Sequence, residues 1–287
     1  MQRSPFFASV IALAGLLSPA TAGIVFGPIR GQPGESVRLL THSETTGGTI
    51  AKTRDGRTTN GTIAITRDRD LVWTFRNPGT DGTRRGMVKV AELATASKTV
   101  INGKEDKAAD TSPLKGKLFA MSKTPTGDWK FELDGSVPLT RVKAEIDELT
   151  VYLKRDWYPA KSVELGESWE FDPAWVKMII EKDLVKAQTI GTMRLRQVRR
   201  AVGRELAIID ISIRSTGGDF RADGTESAAT IELTGQVTVN LVTMLDESLE
   251  LTGTVTTSTD NVSEVTKVVL PVKLAVTKSF IRDGQLP

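Results

Sequence analysis

The stretch TIELTGQVTVNL, residues 230–241, has the most regular pattern in the chain. Its apolar side chains, together with Gly235, fall at every second position, and polar side chains occupy the positions between them. This period of two is typical of a β-strand that buries one face and exposes the other. The stretch therefore indicates an antiparallel sheet with one apolar face.

A second stretch, LELTGTV at residues 249–255, closely repeats IELTGQV at residues 231–237. We expect the two copies to be adjacent strands of the same sheet. Gly235 and Gly253 fall on the apolar face of their strands, where a glycine leaves room for a sharp bend or for a bulky group. We therefore predict that both glycines are positions of sheet bending or close packing.

Short alternating runs continue on both sides of this pair. They include residues 62–66 and 71–76 toward the N-terminus and residues 268–276 toward the C-terminus. Turn residues separate them, as in an antiparallel meander. The predicted fold class is mainly β: an antiparallel curved sheet or one or two half-barrels.

Two dipeptides in the first half, Asp55-Gly56 and Asn60-Gly61, are of the kind that favours tight chain reversal. We predict a turn at each of them. Residues 102–112, NGKEDKAADTS, are polar and lack aromatic side chains. We predict that they form a loop.

The segment 140–187 interrupts the β pattern and concentrates aromatic side chains. It holds both tyrosines and three of the five tryptophans of the chain. Apolar residues at helical spacing, together with the capping residues Thr140 and Asp172, predict helices at 140–154 and 173–187. We expect one or both helices to lie on the apolar face of the sheet.

The first residues, MQRSPFFASVIALAGLLSPATA, have the layout of a secretory signal peptide, with a positive charge, an apolar run and small residues before Gly23. We expect cleavage there; an uncleaved anchor is the alternative. The predicted location is periplasmic or extracellular, with a bacterial envelope favoured, and no transmembrane span remains after signal removal. The predicted organisation is a signal peptide at 1–22, a β-rich half at 23–139, a connecting helical and aromatic segment at 140–187, and a second β-rich half at 188–287.

Several chemistries have no support in the composition. The chain has no cysteine, which excludes disulfides, thiol nucleophiles and cysteine-bound metals. Its single histidine, His42, lies in the polar run THSE without a nucleophile-elbow motif, and no phosphate-loop motif occurs. We therefore expect a protein that is not an enzyme and has no catalytic residue, metal or cofactor. The net charge of +3 gives no reason to expect a nucleic-acid partner.

Arginines are densest between residues 194 and 204. Arg194 and Arg196 share one face of a predicted strand and are candidates for contacting an anion, such as a phosphate, a lipid headgroup or an acidic glycan. A solvated strand face is the simpler interpretation. No aromatic side chains alternate with these arginines, which argues against single-stranded nucleic acid.

The aromatic segment and the apolar strands together indicate a cavity for an apolar or amphipathic ligand, such as a lipid. Its candidate lining residues are Trp169, Trp175, Met178, Ile179, Val237, Val239, Leu251 and Val255. Our hypothesis is an exported, non-enzymatic protein that binds such a ligand or a protein partner. The alternatives are a structural or surface-interaction protein with a filled core, a glycan-acting enzyme using carboxylates such as Glu167 and Glu170, and a porin-like protein, which the scarcity of aromatic residues weakens.

The run YPAKSVELGESW, residues 158–169, resembles a motif of uncharacterised exported bacterial β-proteins, in which Val-x-x-Gly-(Asp/Glu)-Ser-Trp follows a proline. The run SPLKGK, residues 112–117, is similar to a short run in the first half of those proteins. The resemblance implies export and a β fold, and it brings no known activity or functional residue. The layout of long strands with a helix on an apolar face is also similar to the half-barrel of periplasmic lipoprotein carriers, which is a likeness of architecture alone.

Overall fold

The computed structural model describes residues 23–127, 129–133, 142–143, 145–146, 155, 157–171, 188–201, 203–220, 224–261 and 263–281. The described fold is built of β-strands, as the alternating sequence pattern predicts. The strands are β1 (Ser36–Arg54), β2 (Arg57–Arg76), β3 (Arg84–Ile101), β4 (Lys104–Thr111), β5 (Leu118–Lys123), β6 (Trp129–Leu133), β7 (Ser168–Phe171), β8 (Gln188–Ala201), β9 (Arg204–Phe220), β10 (Glu226–Asn240), β11 (Leu245–Asn261) and β12 (Glu264–Ile281).

All of these strands belong to one antiparallel 12-stranded sheet. Its order is β6-β5-β3-β2-β1-β12-β11-β10-β9-β8-β7, and β4 pairs with β3 beside this path. Most neighbours follow each other in the chain. The exceptions are the pairing of β3 with β5 and the pairing of β1 with β12, which places Ser36 opposite Ile281. The two β-rich halves suggested by the sequence are therefore parts of one continuous sheet.

The prediction that the two sequence repeats are adjacent strands is confirmed by β10 and β11. Gly235 lies opposite Leu251, and Gly253 lies opposite Leu233. A Cβ atom added at Gly235 would lie 1.8 Å from the carbonyl oxygen of Glu250, and one at Gly253 would meet the neighbouring backbone at 1.9 Å. The backbone of the paired strand occupies the space that these glycines leave open.

One cluster of buried apolar side chains covers the apolar face of the sheet. It reaches from Phe119 on β5, through Val37 on β1, to Trp169 on β7. Burial is uneven along the strands, because Val276 is 2% exposed whereas Val265, near the other end of β12, is 39% exposed. Full burial of a valine or leucine contributes roughly 1.5–3 kcal/mol, so most of the stabilising burial lies toward the end of the sheet that holds Ser36 and Ile281.

Residues 23–35, which we call the N-terminal strap, cross this end of the sheet. Their glycines and prolines do not favour a regular strand. Backbone hydrogen bonds of 2.8–2.9 Å join the strap to three places, pairing Ile24 with Val163, Arg30 with Thr243, and Gly34 with Phe75. The strap is thereby fixed to the turn before β7, to the β10–β11 turn and to the end of β2.

One turn prediction and one loop prediction in the first half were wrong. Asp55-Gly56 forms the β1–β2 turn with both residues at positive φ, but Asn60-Gly61 lies inside β2, since the chain has already reversed. Residues 102–112 are not a loop: a turn at Asn102-Gly103 leads into β4. The polar side chains of β4 are all exposed, which suits an edge strand that must avoid pairing with other chains.

The predicted helices fall largely outside the described residues. Within the predicted helix 140–154, residues 142–143 and 145–146 have helical backbone, and Val142 belongs to the core cluster. The predicted helix 173–187 lies outside the described residues, as does the predicted signal peptide at 1–22. The described fold is thus a sheet without a complete helix, and in this it differs from the predicted sheet with two helices. Among the described residues there is no helix with the length and apolar character needed to cross a membrane.

Candidate ligand-binding site

A buried cluster of charged side chains lies next to the strap. Arg155 donates from Nη2 to Oδ1 of Asp246 at 2.7 Å and from Nε to Oδ2 at 3.2 Å. Tyr158 donates its hydroxyl to the same carboxylate at 2.8 Å, and Lys278 donates to it at 3.3 Å. Arg155 also donates to the carbonyl oxygen of Gly27 in the strap at 2.8 Å. The cluster therefore connects the middle segment of the chain with β11, β12 and the strap.

Burial and charge oppose each other in this cluster. Burial alone would raise the pKa of Asp246, but the positive charges of Lys278 and Arg155 outweigh it and hold that pKa below its ordinary value. Burial lowers the pKa of Lys278. Burial, followed by the charge of Asp246, raises the pKa of Tyr158 well above its ordinary value. At neutral pH Asp246 is therefore ionised and Tyr158 is neutral.

The core next to the glycine-bearing strands is closely packed. A cavity of about 20 Å³ adjoins Val237 and Asp246, which is room for about one water molecule. Val239, Leu251 and Val255, the other predicted lining residues on these strands, are at most 1% exposed and belong to the core cluster. The structure does not place a ligand-sized cavity at these described residues.

The predicted aromatic lining residues are only partly described. Trp169 is 8% exposed and belongs to the core cluster, and its indole nitrogen donates to the carbonyl oxygen of Trp157 at 2.8 Å. Trp175, Met178 and Ile179 lie outside the described residues. The structure therefore places Trp169 in the packed core, next to the turn that precedes β7.

The two arginines predicted to contact an anion do not form a common site. Arg194 is exposed and donates to the carbonyl oxygen of Gly166 at 3.2 Å. Arg196 is exposed and lies 3.6 Å from a carboxylate oxygen of Asp210. Each guanidinium group has its own partner on the surface, as the solvated-face interpretation implies.

A larger pocket, which we call the end pocket, lies between the strap and the neighbouring ends of β2, β3 and β6. Its volume is about 480 Å³, within the range of roughly 300–1,000 Å³ that is usual for small-molecule sites. Ile29 and Gly31 of the strap form one side of it, and Pro78 and Gly82 of the β2–β3 connection form another. Of the described pockets, this one has the size of a ligand site.

Aromatic side chains form a large part of the pocket wall. Trp73 and Phe75 pack with ring centroids 5.8 Å apart, and Trp129 on β6 adds a third ring. Gly31 brings the strap backbone against Phe75, since an added Cβ would lie 2.1 Å from that ring. Trp73 is 8% exposed, and its indole N–H has no hydrogen-bond partner among the described residues. The wall thus presents apolar rings, and the indole nitrogen of Trp73 is closed to solvent.

Arginine is the charged residue of this pocket. The pocket is lined by Arg30, Arg76, Arg84, Arg85 and Arg155, and none of its described lining residues is Asp or Glu. Of the five, Arg155 is neutralised by Asp246. The pocket therefore carries a concentrated positive charge.

Strand pairing holds several of these cations close together. Arg76 lies opposite Arg85 in the β2–β3 pair, and Arg84 lies opposite Lys123 in the β3–β5 pair. Like charges directly opposite on a sheet destabilise it. Asp81 lies near Arg85 and offsets part of this repulsion; its pKa is lowered chiefly by hydrogen bonds from Thr83 and to a smaller extent by Arg85. Neither Arg76 nor Arg84 has an acidic partner among the described residues.

The sequence prediction missed the end pocket because its residues come from separate segments. Trp73 and Phe75 were interpreted as the apolar positions of an alternating strand, which they are. The adjacent pair Arg84-Arg85, directly after a glycine-containing turn, was the available signal. Charged residues at strand ends usually face solvent. The pair therefore indicates a binding site only when the fold shows that Arg76 and the strap lie beside it.

Two observations concern catalytic chemistry. Glu167 accepts from Nζ of Lys161 at 2.6 Å and from the backbone nitrogen of Glu164 at 2.9 Å, and these bonds lower its pKa. A general acid for glycoside cleavage needs a raised pKa, so the surroundings of Glu167 are of the opposite kind. Glu170 is exposed on β7. Among the described residues, no group of three or more His, Asp and Glu side chains is arranged to hold a metal ion.

No protein-family model matches the chain, and no curated protein matches it. Among solved structures, it is similar to OccK7 (OpdD) of Pseudomonas aeruginosa at 8% identity and a TM-score of 0.30, over 87% of this chain and 100% of that one. It is similar to an outer membrane channel from Pseudomonas putida F1 at 9% identity and a TM-score of 0.22, over 88% of this chain and 97% of that one. The binding domain of botulinum neurotoxin serotype C1 follows at 9% identity and a TM-score of 0.14, over 86% of this chain and 84% of that one. At such TM-scores these likenesses carry no inference about the fold or the function of this chain.

Proposed function

We propose that the protein is an exported, non-enzymatic binding protein whose ligand is an apolar or amphipathic molecule held in the end pocket. The observation that carries this proposal is a pocket of about 480 Å³ with three aromatic rings in its wall. Pockets of this size with apolar walls and a few polar groups are the usual form of small-molecule sites. The signal-like residues 1–22 support export, and we infer an envelope location from them.

Binding in this pocket would remove apolar surface from water on both partners. Contact with aromatic rings contributes about 25 cal/mol for each Å² of apolar surface that is buried. Backbone hydrogen bonds from Arg30 and Gly34 fix the strap. The entropic cost of ordering the pocket wall on binding is therefore small. The pocket thus accounts for ligand binding without a conformational change of the sheet.

Binding of the neutral fluorophore N-phenyl-1-naphthylamine to the full chain tests the proposal. We expect saturable fluorescence enhancement, and a weaker affinity by at least about fivefold for Trp129→Ala, since a ring at a binding site contributes about 1 kcal/mol or more. Leu165→Ala is the matched control, because Leu165 is 56% exposed and does not line the pocket. Absence of saturable binding, or equal loss in both variants, would contradict the proposal and favour a structural or surface-interaction role.

A further inference from the structure

We infer that the end pocket selects anionic ligands: the ligand carries a carboxylate or phosphate group on an apolar chain or ring, and Arg76 and Arg84 bind that group. This inference rests on the proposed function, because it adds the chemical class of the ligand to the same pocket. It concerns residues that the sequence pattern did not single out.

Positive charge remains in the pocket wall after its arginines have paired with acidic residues of the protein. Of the five arginines in the wall, Arg155 is bound to Asp246 and Arg85 lies near Asp81. Arg30 donates to the carbonyl oxygen of Val242 at 3.4 Å. Arg76 and Arg84 are exposed and have no acidic partner among the described residues. The charge that the described residues of the pocket offer to a ligand is therefore positive.

Strand register determines which of the positively charged side chains lie side by side. Arg76 lies opposite Arg85, and Arg84 lies opposite Lys123. Each pairing sets two cations side by side, which costs stability in the empty protein. Arg84 and Arg85 are successive residues of β3, so the two pairs lie on opposite faces of the sheet. An anion in the pocket relieves the repulsion of the pair that it contacts.

The indole N–H of Trp73 is another polar group of a residue that lines the pocket. The side chain is 8% exposed and lines the pocket, and its nitrogen has no acceptor among the described residues. Buried donors are rarely left without a partner, and each such case calls for an explanation. Carboxylate and phosphate oxygens accept hydrogen bonds and have no donor of their own when ionised, so they complement the guanidinium groups, whereas this indole nitrogen is closed to solvent.

The described, positively charged residues that line the pocket are all arginines, and the guanidinium group suits an anionic ligand. A guanidinium group presents a planar set of donors that matches a carboxylate or a phosphate with two parallel hydrogen bonds. It also stacks on aromatic faces, and Trp73, Phe75 and Trp129 lie in the same wall. The pocket therefore has the groups to bind an anionic head beside an apolar body.

A matched series of ten-carbon ligands below their micellar concentrations tests this inference. The probes are decanoate, decyl phosphate, decanol and decyltrimethylammonium, each measured by displacement of N-phenyl-1-naphthylamine from the full chain. We expect both anions to bind at least about tenfold more tightly than decanol, because hydrogen bonds between charged groups are stronger than those of a neutral hydroxyl. We expect the cation to bind more weakly than decanol. The tighter of the two anions identifies the head group as carboxylate or phosphate, and inorganic phosphate alone tests whether the chain is required.

Variants of the exposed arginines locate the effect. R76Q and R84Q, singly and together, are expected to reduce the preference for the anions over decanol while leaving the affinity for decanol unchanged. R196Q is the matched control, since Arg196 is exposed and lies outside the pocket. Equal affinities of the wild type for decanoate, decyl phosphate and decanol would overturn this inference and leave the proposed function standing. Fluorophore binding that no decyl compound displaces would likewise overturn this inference alone, whereas absence of saturable fluorophore binding would overturn both.

Discussion

Arg155 and Asp246, which are 91 residues apart in the chain, form a bidentate ion pair with side chains only 7% and 4% exposed. The pair fixes the middle of the chain to the start of β11. Arg155 also holds the strap through Gly27 and lines the end pocket. One buried contact thus joins the core, the strap and the candidate site.

We predict that Asp246→Asn lowers the free energy of unfolding by about 3–5 kcal/mol, since it leaves two buried cations without their counter-charge. Chemical denaturation followed by fluorescence measures this change. Asp210→Asn is the control, because Asp210 is 43% exposed and pairs with Arg196 on the surface; its effect should stay below about 1 kcal/mol. Equal effects of the two substitutions would show that the buried pair is not important for stability.

The same pair predicts a dependence of stability on pH. The pKa of Asp246 is lower in the folded protein than its ordinary value of 3.8, so the folded state binds this proton less readily than the unfolded state. The stabilising contribution is present above that ordinary value and is lost as pH falls through the folded pKa. The difference in unfolding free energy between wild type and Asp246→Asn should therefore shrink in strong acid. A difference that does not change between pH 7 and acid would contradict this prediction.

His42 is a second titrating group, and its pKa is raised in the folded protein, whereas that of Asp246 is lowered. A hydrogen bond to Asp68 at 2.7 Å is the main cause that raises its pKa above 6.5, assisted by the charges of Asp68 and Glu44. Its contribution to stability is present below pH 6.5 and is lost as pH rises through the folded pKa. Because the chain has one histidine, the imidazole C–H proton NMR signals report this side chain alone. We expect a midpoint above 6.5 in the wild type and a lower one in Asp68→Asn; the same midpoint in both proteins would refute the assignment.

Gly235→Ala should be strongly destabilising. Its Cβ would lie 1.8 Å from the carbonyl oxygen of Glu250, so the β10–β11 pair must separate, at a cost of about 1–3 kcal/mol or more. Gly27→Ala is the matched control, because nothing lies within 4 Å of a Cβ there. Thermal unfolding of both variants measures the contrast. A Gly235→Ala variant as stable as Gly27→Ala would mean that the two strands are not in close contact at this glycine.

The sheet was predictable because its signal is local. The alternation of residues 230–241 and its repeat at 249–255 fix which face is apolar and which strands are neighbours. The predictions failed where the same residues are compatible with two local structures. Asn60-Gly61 is a turn signal in isolation, yet it lies in a strand that continues to Arg76. In the same way, the polar residues of β4 suit an edge strand as well as a loop.

The end pocket was not predictable, because its elements meet through long-range pairing. β1 joins β12, and the strap reaches Thr243 and Phe75, none of which leaves a pattern in a short window. The same holds for Arg155 and Asp246, whose charges suggest surface positions when each residue is considered alone. The sequence predicts a cavity beside Val237 and its neighbours, where the described cavity has a volume of about 20 Å³.

Binding in the end pocket can be observed in a crystal structure of the full chain with decyl phosphate or decanoate. We expect one ligand in the end pocket, with its anionic oxygens within hydrogen-bonding distance of Arg76 and Arg84 and its alkyl chain against Trp129. A ligand bound only elsewhere, or an end pocket that stays empty at saturating ligand, would contradict it.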